Sequence, residues 1–332
     1  MSADSELSNE LQRVLQEFGP NLKPLSPEEA VQKFLKSEKS ELAPATLDEY
    51  ERELTRFVGF CGEHGVEDTT EFDGRVLHDF KIWRRDEAHD GEGSLSKKTM
   101  RDELYLFRKF LRFLESIDAV TPRLHAKIEI PTLDPGDGER DIDFVSDELN
   151  AILTHLEKYE YATREHAVWV LFAATGRRPS GLRALDLEDI HLEGDEAYIE
   201  FRHRVDGETE TRLKNKKSSE NTVYLSDSAA EVIQDYIDTN RVNVGENGRS
   251  PLLTTVHGRL SDSSIRKYVY KWSRPCVVGN GCPEGRNQED CEAMESSDCA
   301  VKCPFSKPPV ALRHGYISNL RRQGVSLHTI SD

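Results

Sequence analysis

The sequence predicts a mainly α chain with a small antiparallel β-sheet, arranged as two domains. Three observations carry that expectation. Residues 24–120 hold a succession of helix-start signals, each followed by apolar residues at spacings of three and four. Residues 121–143 are interrupted by Pro122, Pro131, Pro135, Gly136 and Gly138 among acidic residues, the composition of a linker rather than of a core. Residues 197–225 alternate apolar and polar side chains around two turn signals, as half-buried paired strands do. At 332 residues the chain is long enough for two separate cores.

In order, residues 1–23 form a polar leader with one short helical stretch, Leu7 to Phe18. Ser26-Pro27-Glu28-Glu29 supplies an N-cap, a proline at the first helical position and a capping-box glutamate, with Val31, Phe34 and Leu35 following on one face. Thr46-Leu47-Asp48-Glu49 opens a second helix whose Leu47, Tyr50, Leu54, Phe57 and Cys61 share a face, Cys61 being read as core. Val76, Leu77, Phe80 and Trp83 mark a third helix; Leu104, Phe107, Leu111 and Leu114, after Ser96, mark a fourth. Four such helices make a small bundle. The fourth is also basic, with Lys97, Lys98, Arg101, Arg108, Lys109 and Arg112 disposed either to meet phosphate or to form a solvated face.

The second domain, 144–332, begins with the helix signal Ser146-Asp147-Glu148-Leu149, carried on through Ile152, Leu153 and Leu156. His166 to Ala174 is nearly all apolar, a central core helix that ends at Gly176. Ala197, Ile199, Phe201, His203 and Val205 form a strand pattern, Asp206-Gly207-Glu208 turns the chain, and Thr209 to Leu213 returns as a paired strand. Lys214-Asn215-Lys216-Lys217-Ser218-Ser219 is a second turn, followed by a third strand at Thr222 to Leu225. Helices are expected from Ser228 to Tyr236 and from Ser264 to Trp272.

Charge narrows the setting. There are 44 Lys and Arg against 61 Asp and Glu, a net charge of -17, which ordinarily argues against a nucleic-acid partner. Acid spread along the whole chain is also the surface habit of proteins kept soluble in concentrated salt, where screening cuts electrostatic reach to a few ångströms. The expectation is a salt-adapted protein whose nucleic-acid-binding face, where it has one, is a local basic patch. No apolar stretch approaches a membrane span, and Met1-Ser2-Ala3-Asp4-Ser5-Glu6 is acidic where a signal peptide is basic, so no membrane partner and a cytoplasmic location are expected.

Five of the six cysteines fall between 275 and 304, as Cys276, Cys282, Cys291, Cys299 and Cys303. The segment around them has almost no apolar residues and needs another staple to be ordered. A structural zinc held by Cys276, Cys282, Cys291 and Cys303, with Cys299 spare, is the expectation, against a loop of reduced thiols.

Two strings carry the chemistry: Ala173-Ala174-Thr175-Gly176-Arg177-Arg178-Pro179-Ser180-Gly181-Leu182-Arg183-Ala184-Leu185 and Ala311-Leu312-Arg313-His314-Gly315-Tyr316. Arg178 lies just past a Thr-Gly helix break and Arg313 opens an amphipathic segment, so the two permanently charged forks are expected to converge on one phosphate. These strings, 135 residues apart with a lysine-bearing strand pair between them, resemble the boxes Thr-Gly-x-Arg-x-Ser-Glu-Leu and His-x-Leu-Arg-His of the tyrosine recombinases, or phage-type integrases. The resemblance is closest to integrase-like proteins of halophilic archaea and covers roughly residues 24–332.

That resemblance implies a core-binding (SAM-like) helical domain over 24–120, closing on double-stranded DNA opposite a catalytic domain of the DNA breaking-rejoining type over 144–332, and a homo-oligomer on the DNA. The implied function is site-specific recombination or integration. A tyrosine attacks the DNA phosphate, arginines bind the non-bridging oxygens and a lysine protonates the leaving 5′ hydroxyl, with no cofactor. Residue by residue, it assigns catalytic roles to Arg178, Lys216, Arg313 and His314. Lys214, second choice for the lysine, joins Lys97, Lys98, Arg101, Arg108 and Lys109 on the DNA. The sequence departs from the pattern in three places. Gly181 stands where the family has glutamate, Asp186 and Asp189 being the carboxylates available to replace it, and Val310 stands where the first histidine belongs. No tyrosine follows Tyr316 before Asp332, and Tyr316 itself is read as structural. The chain as given is therefore expected to be a truncated member that binds DNA without cleaving it alone; a catalytically inactive relative or fragment acting at recombination sites is the alternative.

Overall fold

The computed structural model describes residues 21–86, 95–134, 137, 144, 146–194 and 196–325, in two units, Met1–Arg140 and Asp141–Asp332. The helical stretch expected from Leu7 to Phe18 lies outside the described residues.

The first unit is the predicted bundle. Helix α1 (Pro27–Glu38) begins on its capping box: Glu29 N–H donates to Ser26 Oγ at 3.2 Å and Ser26 N–H to Glu29 Oε2 at 3.1 Å. Helix α2 (Pro44–His64) starts two residues ahead of the Thr46 signal, because Pro44 is pre-set for the first helical position and lacks only an N–H that the helix would not use there. Helices α3 (Gly74–Asp86) and α4 (Lys97–Ser116, capped by Ser96) complete it. The core is aromatic: Phe57 is fully buried, its ring centroid 4.5 Å from that of Phe107 and 5.0 Å from that of Phe80. Pairs of this geometry add about 0.5–1.5 kcal/mol each beyond their buried area. Cys61 is in this core, as expected.

The linker expected over 121–143 is shorter than its prolines suggest. Leu124 and Ile128 are buried in the first core, and a short 3-10 turn, Leu124–Lys127, lies between them. Arg108 Nη2 donates to Ile128 O at 2.6 Å, and His125 Nδ1 meets Glu115 Oε1 at 2.7 Å. Burial of these two apolar side chains and the two hydrogen bonds together hold the segment on the first core.

In the second unit, helices α5 (Ser146–Tyr159), α6 (Arg164–Thr175), α7 (Pro179–Ala184), α8 (Asp227–Asp235), α9 (Asp262–Trp272) and α10 (Pro309–Arg322) share one core. Helix α6 lies at its centre, with Ala167, Val168, Trp169, Leu171 and Phe172 fully buried. The antiparallel sheet has strands β1 (Ile190–His191), β2 (Tyr198–Phe201) and β3 (Asn221–Tyr224) in that order, with Ile199 opposite Ile190 on one side and Val223 on the other. Strand β1 was not legible, and the expected strand from Thr209 to Leu213 is reduced to a single bridge between Arg204 and Thr211. Its backbone groups are engaged by side chains instead: Arg249 donates to Thr209 O at 2.9 Å, and Leu213 N–H donates to His203 Nδ1 at 2.9 Å. Among the described residues, no helix is long and apolar enough to cross a membrane.

Candidate functional site

The site is built on the turn after α6. Gly176 has φ +58°, and a Cβ placed there would lie 2.2 Å from Tyr316 Cδ1, so both the backbone and the neighbouring ring demand glycine. The next two residues part company. Arg177 turns inward and is 8% exposed, whereas Arg178 stays at the surface as the N-cap of α7, its carbonyl accepting from Gly181 N–H at 2.8 Å. Helix α10 closes against this turn through buried Ala311 and Leu312 and through the Tyr316 ring. Half-buried Arg313 then donates from Nη1 to Gly176 O at 3.0 Å, so the arginine of the second box is fastened to the turn that carries the first.

Three like charges are crowded here. Burial, and after it the charge of Arg178, holds the Arg313 guanidinium below the usual arginine range. Arg177 is pushed down to about 10, by burial first, then by Arg313, with Arg178 adding to the effect and Tyr316 opposing it. Among the described residues neither Arg178 nor Arg313 has a carboxylate partner. Half-desolvated cations without counter-charge are costly, and an anion with several oxygens, such as a phosphodiester, relieves that cost through charge-assisted hydrogen bonds.

Asp186 and Asp189 do not replace the glutamate missing at Gly181. Both are buried and hold other arginines: Asp186 binds Arg249 Nε and Arg259 Nη2, each at 2.7 Å, and Asp189 binds Arg204 at 2.6 and 3.0 Å. The space beside Gly181 is taken instead by the stem of Arg177, whose Cβ would be 3.3 Å from a Cβ at 181. Arg177 escaped the sequence reading, for which the only signal was an arginine at the variable position of the box. Its Nη1 donates to Ser219 O at 3.0 Å, and its guanidinium carbon sits 4.5 Å from the centre of the Phe201 ring. Ser219 closes the 3-10 turn Lys216–Ser219, so Arg177 ties the lysine turn to the arginine box. Lys216 is exposed at the start of that turn with φ +56°, a left-handed conformation that costs a side-chain-bearing residue about 1–2 kcal/mol. Hydrogen bonds hold it there: Lys216 N–H to Leu213 O at 3.0 Å, and Ser218 Oγ to Asn215 O at 2.6 Å. Lys214 and, on α10, His314 are also exposed.

The basic side chains of α4 are mostly engaged within the first unit. Lys97 Nζ is 2.8 Å from carboxylate oxygens of both Asp134 and Asp137, and Lys109 Nζ is 2.5 Å from Glu38 and lies over the Tyr50 ring at 5.4 Å. Arg108 Nη2 donates to Ile128 O, so part of this guanidinium is engaged within the unit. Lys98 is exposed, and Arg101 rests over the Tyr105 ring at 5.3 Å. Exposed ion pairs such as those of Lys97 are worth at most about 1 kcal/mol and exchange readily for phosphate.

Residues 143–275 match the family model described as the phage integrase family. The match holds the first arginine box and the lysine turn, and it ends at the residue before Cys276, where the cysteine-rich insert interrupts the chain. Tyrosine recombinase XerC of Shigella flexneri serotype 5b (strain 8401) is 23% identical over 244 residues, 73% of this chain and 74% of that protein. XerC of Escherichia coli O157:H7 is 22% identical over the same shares. The fold is that of the Tn1549 transposon integrase solved in complex with a circular intermediate DNA, at a TM-score of 0.64 and 12% identity over 92% of this chain and 90% of that one. A lambda integrase dimer bound to a COC′ core site aligns at a TM-score of 0.57 and 12% identity, over 92% and 93%. Two arginine boxes thus meet at one turn, and the first of them lies inside the segment that is similar to the phage integrase family and to the tyrosine recombinases.

Proposed function

We propose that this protein acts in site-specific recombination of double-stranded DNA by tyrosine-type strand cleavage and rejoining, with a nucleophile other than Tyr316, whose ring is packed on the Gly176 turn. The observation that carries the reading is the meeting of Arg178 and Arg313 at the Gly176 turn with no carboxylate partner among the described residues. Two guanidinium forks at that turn suit the non-bridging oxygens of a scissile phosphate, whose negative charge grows as a fifth oxygen bonds to phosphorus. In this reading Lys216, held in the turn that Arg177 ties to the box, gives a proton to the leaving 5′ oxygen, and exposed His314 takes part in proton transfer. Lys98, Arg101 and Lys214 supply further phosphate contacts, and protomers assemble on the DNA as a homo-oligomer. The matched relatives are named as recombinases, which favours an active enzyme over a relative that only binds. The net charge of -17 supports a salt-rich cytoplasm as the place of action, where affinity rests on close contacts rather than long-range attraction.

The test begins with the protein expressed from its own gene and a duplex that it selects from a random pool. That duplex is rebuilt with a nick from which the cleaved strand escapes. The expected result is a protein–DNA adduct that survives denaturant and is lost in Arg178→Ala and Arg313→Ala. A duplex bound equally by both variants, with no adduct from the unaltered protein, would overturn the reading.

A further inference from the structure

The cysteine-rich insert leaves the second unit between α9 and α10 through a closed base: Lys307 N–H donates to Ser273 Oγ at 2.8 Å. Beyond that base it has little to hold it. Its regular structure is three short 3-10 turns, Gln288–Asp290, Glu292–Met294 and Asp298–Lys302, and its fully buried apolar side chains are those of Ala293 and Ala300. A methyl group buries on the order of 0.8 kcal/mol, far short of the entropy of ordering some thirty residues. Buried Arg274, whose Nη1 donates to Ala293 O, adds one staple.

The thiols are arranged unequally. Cys282, Cys291 and Cys303 line one small cavity, together with Ala293, Pro304 and Phe305. Two ion pairs, Arg286 with Glu284 and Lys302 with Glu292, border the same cavity. Cys276 lies at the closed base of the insert, three residues past Ser273, and its carbonyl accepts at 3.2 Å from Nε2 of Gln288, three residues before Cys291. Cys299 is not on the cavity wall and instead receives a hydrogen bond from Ser296 Oγ, at 3.4 Å to its sulfur. All five are free thiols.

We propose that Cys276, Cys282, Cys291 and Cys303 bind one structural zinc ion, with Cys299 outside the set. Among the described residues, no three His, Cys, Asp or Glu side chains are placed to hold an ion, so binding includes a closure. The four sulfurs lose their protons and draw in to zinc–sulfur distances of about 2.3 Å, in tetrahedral geometry. The consequence reaches the recombination site, because α10, which carries Arg313 and His314, starts at Pro309, six residues past Cys303. A closed insert fixes the start of that helix; an open one leaves it held by the Ser273–Lys307 base and by the ion pair of Lys307 with Glu148.

The test titrates cobalt into full-length protein freed of metal under reducing, oxygen-free conditions and reads the visible absorption of the cobalt. The expected result is a four-thiolate tetrahedral spectrum saturating at one equivalent and displaced by one equivalent of zinc. Cys299→Ser should keep the stoichiometry and Cys291→Ser should lose it. In the zinc form a thiol reagent should modify Cys299 rapidly and the four ligands only after chelation. A flat titration of the unaltered protein overturns the proposal even where Cys291→Ser fails to fold, and so does loss of binding in Cys299→Ser with retention in Cys291→Ser. None of these readouts involves DNA, so their failure leaves the recombinase reading standing.

Discussion

Two groups of arginines, drawn from the same unit, are treated in opposite ways. Arg204, Arg249 and Arg259 converge on Asp186 and Asp189, carboxylates that are 1% and 0% exposed. Arg178 and Arg313, with Arg177 beneath them, crowd together at the Gly176 turn, where only like charges and burial act on Arg313. The first group has had its counter-charge supplied by the chain and serves as architecture, joining the end of the arginine box to the segment 246–259. The second waits for counter-charge from outside. In a chain with 17 more acids than bases, a place that acid side chains avoid is more telling than any basic residue by itself.

The sharpest way to break this contrast is to remove the internal counter-charge. Asp186→Ala leaves Arg249 and Arg259 facing each other in a buried site and should lower stability by about 3–5 kcal/mol, measured by urea unfolding. A loss under about 1 kcal/mol would mean that these arginines need no carboxylate, and the contrast would fail. Arg178→Ala should do the reverse. Stability should hold or rise slightly as repulsion with Arg313 is relieved, while DNA affinity drops and the slope of log affinity against log salt becomes shallower by about one unit.

Arg177 falls between the two groups and so sharpens the contrast. Arg177→Met keeps the stem that packs beside Gly181 but removes the bond to Ser219 O and the cation over Phe201. Losing that bond costs about 1–2 kcal/mol, offset by no longer burying a charge, so global stability should change by less than about 1 kcal/mol. The local effect is the larger one: amide exchange in the turn Lys216–Ser219 should accelerate relative to the rest of the sheet. Unchanged exchange there would show that the lysine turn stands without Arg177.

These contrasts mark where the sequence is legible. Capping boxes and helical spacing are local, so the bundle and most of the second unit's helices could be read directly, with α2 displaced only by Pro44. The arginine boxes could be read because their residue order is itself the signal. Which of two adjacent arginines turns inward could not, since it depends on the empty side of Gly181 and on Ser219, 42 residues away. The same limit hid the fate of the basic helix α4. Lys97, Arg108 and Lys109 take partners 37, 20 and 71 residues distant, and nothing in their own segment announces it. The strand expected over 209–213 was lost to Arg249 in the same manner.

His166 illustrates a third way to bury a basic group, which is to keep it neutral, and it gives the smallest and most specific prediction. It is 2% exposed in α6, and its Nδ1 accepts from Ala162 N–H at 3.2 Å, which requires that nitrogen to be unprotonated. Burial pushes its pKa below the ordinary value of 6.5, with Glu157 opposing. Tyr161 and Glu231 also line the space on its open side. Because the unfolded chain takes up a proton there before the folded one does, stability must fall as pH drops below about 6.5 and level off beneath the folded value. Glu115 in the first unit acts in a lower window. Burial would raise its pKa, but hydrogen bonds from His125 outweigh that and hold it below 4.5, so its contribution is lost only as pH falls further. The two units should therefore lose stability in separate pH ranges. His166→Asn, which keeps an acceptor for Ala162 N–H but cannot protonate, should flatten the upper range and leave the lower one in place. Urea unfolding from about pH 2 to about pH 7, read by tryptophan emission with Trp169 reporting the second unit and Trp83 the first, makes the comparison. An upper range that persists in His166→Asn would place its source in another group and remove His166 from the set of bases that this unit keeps without counter-charge.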